Sequence, residues 1–211
     1  MPEPNRDSKG PFQPAARPLL LVLSGPSGAG KDAVLYRMKE LGLPLEFIVT
    51  VTTRPRRASE RDHMDYHFIS RESFQKMIDN GELLEWANVY GNWYGVPQQP
   101  VKQALERNQN TMVKVDIQGA ATIKKTLPEA VFIFLLPPSM QELVSRLKQR
   151  NTESASELSR RLKAAGEEMK QLPMFDYAVI NHPGQIDRVV SDIRAIITTE
   201  RLRVIPREYK L

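Results

Sequence analysis

The sequence predicts an α/β fold in which a parallel sheet is flanked by helices. Three observations carry that reading. Short apolar runs alternate with segments of helical period, the first run leads through a glycine-rich loop into a helix, and two later runs are continuously apolar, as strands buried on both faces are. A length of 211 residues suits one such core carrying small inserts and is too short for two large independent domains.

Residues 1 to 17 contain four prolines and no hydrophobic period, so they read as a disordered tail outside the fold. Leu19 to Ser24 (LLLVLS) stops at GPSGAGK and leads into DAVLYRMKELG, where Val34, Leu35, Met38 and Leu41 recur at helical spacing and Gly42 marks the stop. Phe47 to Thr53 (FIVTVTT) reads as one strand ending in an arginine cluster. DYHFI alternates toward another strand, and SRESFQKMIDNGELLEW offers a helix ending near Gly81. VPQQPVKQALERNQ reads as a helix whose first turn is loosened by two prolines. TMVKVDIQG and AVFIFLLPP are buried strands, the first leaving the core at Asp116 and the second halted by Pro137 and Pro138. Ser139, with Glu142 three residues on, starts a helix over SMQELVSRLKQR. After the charged stretch RNTESASELSRRL come a short strand at YAVIN and a terminal helix over QIDRVVSDIRAIITTERLR.

Composition narrows the function classes. With 41% hydrophobic and 26% charged residues the chain is ordinary globular protein. Thirty Lys and Arg against 25 Asp and Glu give +5, which suits an anionic ligand but falls short of the basic stripes that bind nucleic acid. The absence of cysteine excludes disulfides, thiolate metal sites and thiol nucleophiles, and fits a cytoplasmic protein. Apolar runs such as Leu19 to Leu23 fall far below the roughly 18 residues a membrane span needs, and the N-terminus lacks the apolar region of a secretory signal.

The chemistry starts at Gly25, Pro26, Ser27, Gly28, Ala29, Gly30 and Lys31. The glycines let successive backbone N–H groups point into one concavity, the following helix adds its positive N-terminus, and the lysine reaches the β and γ phosphates. This is a phosphate-binding loop of the P-loop NTPase type, with one departure: Asp32 stands where the strict motif has a magnesium-binding Ser or Thr. Arg54, Arg56 and Arg57 follow an apolar strand, where they can clamp an acceptor phosphate or form a solvated basic loop. Arg146, Arg150, Arg160 and Arg161 can stabilise a transferring phosphoryl group or line the wet faces of two helices. Asp116 ends a strand where a carboxylate reaches magnesium or its water, or else is a turn residue. Trp86, Tyr90, Trp93 and Tyr94 surround Gly91 and Gly95 and read as a packed aromatic patch. His63, His67 and His182 lack metal-ligand spacing and receive no catalytic role.

In order along the chain, GPSGAGK, TTRPRR, DYHF, LLEWANVYGNWYG, VDIQG and RLKQRNTES, with Arg161 eleven residues after Arg150, resemble the guanylate kinase family of nucleoside monophosphate kinases from about Leu19 to the C-terminal helix. The resemblance implies a domain over 18–211, with a GMP-binding insert at roughly 50–105 and a helical lid at roughly 147–165 that closes over ATP. It implies transfer of phosphate from ATP to GMP with magnesium as cofactor, by a monomer or homodimer with no nucleic-acid or membrane partner, and leaves open whether dGMP also serves. By the same resemblance Arg54, Arg57, Tyr66 and Tyr94 hold the GMP phosphate with Gly95 beside them, while Thr50, Glu85 and Asp116 read the guanine. Lys31, Arg54, Arg146, Arg150 and Arg161 neutralise the charge of transfer, and Asn181 lies against adenine. A carboxylate at Glu85 accepts from both N1–H and the exocyclic amine of guanine, donors that adenine does not present on that edge.

Lys114 is a second departure, standing where the family usually has an acid. If the two side chains face one pocket, Asp32 keeps the local charge similar and either serves magnesium through water or pairs with Lys114. Two other functions stay open at this point: a non-catalytic module that binds protein in the same cleft, and a kinase of another small acceptor such as a ribose bisphosphate.

Overall fold

In the computed structural model, which describes residues 17–58, 60–89, 91–149 and 155–209, the first apolar run forms strand β1, Leu20–Ser24, buried along its whole length. It lies at the centre of a five-stranded parallel sheet ordered β2-β7-β1-β8-β9, with β2 at Glu46–Phe47, β7 at Thr111–Lys114, β8 at Val131–Leu136 and β9 at Tyr177–Ile180. A strand covered on both faces has no polar side, which is why the run is continuous rather than alternating. Leu21 and Leu23 face helices α1 (Lys31–Glu40) and α7 (Ile186–Arg201), packing with Val34, Met38, Val189 and Ile193. Leu20 and Val22 face α3 (Gln98–Glu106) and α4 (Ile117–Thr126), packing with Val101, Ala120 and Ile123. Each such leucine contributes on the order of 2 kcal/mol of burial, so β1 fixes the three-layer core and the exit point of the glycine loop.

The stretch expected to be one strand, Phe47 to Thr53, is instead divided between two sheets. Phe47 belongs to β2 in the core, and Val51–Thr52 forms β3 in a separate four-stranded sheet ordered β4-β3-β6-β5. The chain changes sheets over Ile48 to Thr50, which delivers Thr50 to the seam between them. Strand β4 is His67–Phe68, and β5 (Leu83–Val89) and β6 (Asn92–Pro97) form an antiparallel hairpin that pairs Val89 with Asn92. The aromatic patch is this hairpin: Trp86 and Trp93 lie 6.0 Å apart and Trp93 packs on Phe74, while Tyr94 turns to the other face and meets Tyr66. Helix α2, Arg71–Asp79, begins where the Ser70 hydroxyl accepts from the Ser73 backbone N–H.

Helix α4, not foreseen in the sequence, starts at Asp116, whose carboxylate accepts from the Gly119 N–H at 2.7 Å. Helix α5, Met140–Gln149, has the expected Ser139 cap, and α6 runs over Ala155–Met169, beyond the expected lid boundary at 165. Among the described residues these two helices share a small core of Leu143, Leu147 and Ala165, with Leu162 beside it. Arg17, grouped in the sequence with the tail, pairs with Glu208 at 2.6 Å, while residues 1–16 lie outside the described residues.

Candidate active site

A cleft opens where the C-terminal ends of β1 and β7 face the second sheet, with α6 along its rim. Gly25, Ser27, Gly28, Gly30 and Lys31 of the glycine loop line one end, and Thr50, Arg54, Arg57, Tyr66, Glu85, Tyr94 and Gly95 line the other. Asp32, Lys114, Asp116, Arg161 and Glu168 stand between the two ends.

At the first end the site is backbone. Gly25 has φ of 144°, and a Cβ there would run into the Leu135 carbonyl oxygen, so the loop passes too close to β8 for any side chain. The Lys31 ammonium donates to the carbonyls of Gly25 and Pro26 at 2.5 and 3.2 Å. Burial pulls its pKa below the ordinary lysine value, and the nearby carboxylates of Asp32, Glu168 and Asp116 oppose that pull.

At the second end the site is side chains. The Arg54 guanidinium donates to the Tyr94 hydroxyl at 3.2 Å and to Glu60 at 2.7 Å, and lies over the ring of Tyr66. Glu60 also accepts from the backbone N–H of Arg57 at 2.8 Å. Burial works against the Glu60 charge, but Arg54 and Arg57 outweigh it and hold the carboxyl below its ordinary range. Because side chains alternate along β5, Glu85, Ala87 and Val89 all face the cleft while Trp86 faces away.

Glu85 is the most perturbed acid of the cleft. It is 5% exposed, its Oε2 has no hydrogen-bond partner among the described residues, and burial beside Asp116 raises its pKa to about 8. Gly119 makes room for it: a Cβ on that residue would lie 2.5 Å from Glu85 Oε2. A buried acceptor with no partner costs roughly 1–3 kcal/mol, so the position is set for a donor that arrives from outside.

A glycine loop at one end, a cationic clamp at the other and an unpartnered acid beside the clamp agree with the comparisons to known proteins. The guanylate kinase family profile matches residues 17–200. A guanylate kinase from Caldanaerobacter subterraneus is 46% identical over 88% of this chain and 89% of its own length. One from Carboxydothermus hydrogenoformans is 42% identical over 88% and 90%. The crystal structure of guanylate kinase from Anaplasma phagocytophilum superposes with a TM-score of 0.75 at 32% identity, covering 90% of this chain and 89% of that one. The chain belongs to the guanylate kinase family.

In this guanylate kinase family member most of the residues singled out from sequence meet in the one cleft. Arg146 and Asn181 do not line it. Arg146 donates to the carbonyls of Ala29 and Asn181 and to Glu142, and the buried Asn181 side chain donates to Ala29 at 2.8 Å, so both brace the loop from behind. Pro26 and Ala29 are likewise not among the lining residues, and Arg150 and Tyr90 lie outside the described residues. The two departures from the family pattern are joined: the Lys114 ammonium donates to Asp32 at 2.5 Å and lies 4.0 Å above the Tyr66 ring. Burial disfavours the Lys114 charge, but Tyr66 and Asp32 outweigh it and hold the ammonium well above its ordinary pKa.

Sequence reasoning missed Glu60, Gly119 and Glu168. Burial raises the Glu168 carboxyl, and Lys31 and the Ser27 backbone N–H act against that rise, which places the acid beside the glycine loop. Its signal was available: Glu168 follows Arg161 by seven residues, two helical turns, so both fall on one face of α6. Glu60 carried no such signal, being one acid in a charged loop. Among the described residues no helix is long and apolar enough to cross a membrane.

Proposed function

We propose that this cleft transfers the terminal phosphoryl group of ATP to GMP, giving ADP and GDP. The observation that carries the reading is Glu85, a buried and unpartnered acid in a pocket reached by a cationic clamp on one side and a glycine loop on the other. As a carboxylate it accepts from the N1–H and exocyclic amine of guanine, with the Thr50 hydroxyl and Asp116 beside it. Adenine, cytosine and uracil do not offer that donor pair, so the acid selects the base.

The acceptor phosphate replaces Glu60 at Arg54 and Arg57, with the Tyr66 and Tyr94 hydroxyls completing the clamp. The loop from Gly25 to Lys31 holds the ATP phosphates. A GMP phosphate oxygen attacks the γ-phosphorus as the bond to the β-phosphate oxygen breaks, and no protein nucleophile intervenes. Lys31, Lys114 and Arg161 neutralise the spreading charge. Helices α5 and α6, with their small shared core, act as the lid, carrying Arg161 and Glu168 over the loop and excluding water.

Three carboxylates, Asp32, Asp116 and Glu168, face the cradle, and among the described residues the buried Glu168 Oε2 has no hydrogen-bond partner. This oxygen donor set fits magnesium held mostly through water, with Asp32 and Glu168 as its nearest protein groups. Bound there, the ion supplies charge neutralisation on the ATP phosphates. A protein with no cysteine that uses ATP suits a cytoplasmic setting. The binding-module alternative would be expected to lose Lys31, Arg54, Arg57 and Arg161, and all four line the cleft.

The test is release of ADP from ATP and magnesium with GMP, AMP, CMP or UMP as acceptor. Turnover with GMP at least about 100-fold above the other three is expected, since one well-placed polar contact discriminates to that degree or beyond. GMP binding without turnover would move the reading to a binding module, and comparable use of AMP would remove Glu85 from its role.

A further inference from the structure

A second group of potential ligands stands outside the cleft lining, on the turn that leads into β4. His63, in the turn, and His67, which opens β4, are four residues apart, a spacing that carries no metal signature there, yet the turn folds one ring onto the other. Their Nδ1 atoms lie 2.8 Å apart and the rings meet edge to face with centroids at 4.9 Å. Asp62 Oδ2 lies 3.5 Å from His63 Nε2, and one donor atom from each of the three residues falls within 4.8 Å of the others.

The turn is held by its own backbone. Asp62 Oδ1 accepts from the N–H groups of His63 and Phe68, the His63 N–H donates to the Tyr66 carbonyl, and His63 takes a left-handed φ of 61°. A non-glycine residue held there costs free energy that nothing in the hydrophobic core recovers, since the His63 side chain is 75% exposed. What the conformation achieves is the approach of the two imidazoles.

We propose that Asp62, His63 and His67 form a surface site for a borderline divalent transition-metal ion such as Zn²⁺, Ni²⁺ or Cu²⁺. Two imidazole nitrogens on such an ion, at metal–nitrogen distances of about 2.0–2.1 Å, stand roughly 2.9–3.3 Å apart. The observed separation is close to that, and small rotations of exposed side chains bring the carboxylate in as third ligand. The ring that donates from Nδ1 in the metal-free turn passes that proton through water to its own Nε2, so that both neutral rings give Nδ1 to the metal and the hydrogen bond between them is exchanged for two coordinate bonds. Water fills the remaining positions. Imidazole-rich sites prefer these ions to magnesium, a hard cation that takes oxygen ligands, so the site is chemically distinct from the nucleotide cleft. It also lies next to Tyr66, which both lines that cleft and stacks on Lys114, so an ion here stiffens one wall of the acceptor pocket.

The test is calorimetric titration of the metal-free full chain with Ni²⁺ in the presence of excess magnesium and no nucleotide. One equivalent binding at a roughly micromolar Kd is expected. His63→Asn keeps a residue that tolerates the left-handed turn, and His67→Gln keeps a polar side chain at the start of the strand; each is expected to weaken binding at least tenfold. His182→Gln, at the third histidine, is expected to leave it unchanged. Thermal melts of the variants confirm that they are folded. Absence of Ni²⁺ binding, or binding unaltered in the folded His63→Asn/His67→Gln double variant, overturns the proposal.

Discussion

The two ends of the cleft are made of different material. The loop end is built from backbone, wedged between β8 and α5 and braced by Arg146 and Asn181, and a side chain at Gly25 is sterically forbidden. The acceptor end is built from side chains on a small sheet of its own, and Glu60 holds its arginines in place. Backbone donors recognise phosphate whatever it is attached to, whereas side chains on alternating strand positions recognise one base. On the proposed function the division means that damage at the loop end is expected to remove chemistry, and damage at the acceptor end to remove choice.

The sharpest break of that contrast is Lys31→Met. The substitution keeps the stem and removes the ammonium, so kcat is expected to fall about 10³-fold while the Kd for GMP changes less than twofold. Single-turnover kinetics with a parallel GMP titration checks both numbers. A loss of GMP affinity of the same size would show that the ends are not separable.

Glu85→Gln is the complementary break, with an expected loss of about 10²-fold in kcat/KM for GMP and relative gain for AMP. Its pH dependence sharpens the comparison. With the Glu85 pKa raised to about 8, the empty cleft holds a proton that guanine binding must displace. The KM for GMP is therefore expected to fall about tenfold per unit as pH rises toward 8 and to level off above it, a dependence absent from Glu85→Gln. Stability moves the opposite way. The folded state keeps a proton that the unfolded chain releases near 4.5, so stability declines as pH rises from there to about 8. Glu85→Gln is expected to raise the Tm at pH 9 by about 3 °C or more, read by calorimetry.

The same division decides what could be read from the sequence. The loop end was legible from local pattern alone, because an apolar run, spaced glycines, a lysine and a helix are contiguous and each has a conformational reason. The acceptor end was not, since Glu85 and Tyr94 come from β5 and β6 while Thr50, Arg54 and Tyr66 come from the loops beside β3 and β4, and only resemblance to a family brought them together. The break in Phe47 to Thr53 was hidden because both halves have strand propensity, and what parts them is the partner each finds, β7 or β6. Helix α4 was hidden because its start, Asp116, reads equally as a carboxylate for magnesium or a turn residue, and it is in fact a capping residue that also lines the cleft. Glu60 was illegible for another reason: its importance comes from what it touches.

The smallest effect is expected where the two ends meet. Lys114 is 10% exposed and its partner Asp32 is 64% exposed, so the members of this pair respond unequally to loss of the other. Removing Lys114 leaves an acid that water solvates readily, whereas removing Asp32 leaves a buried ammonium with Tyr66 as its main remaining support. Asp32→Asn is therefore expected to cost more stability than Lys114→Met, and the double variant to regain part of the loss. Because one partner is largely in water, the coupling energy is discounted to about 1 kcal/mol. Chemical denaturation of the four proteins measures it. Magnesium titration of the same set separates pairing from metal support: if Asp32 helps hold the ion, Asp32→Asn raises the half-saturating magnesium about threefold or more, and Lys114→Met, by removing a competing cation, lowers it. An unchanged magnesium dependence in both would confine Asp32 to holding Lys114 between the ATP loop and the acceptor wall.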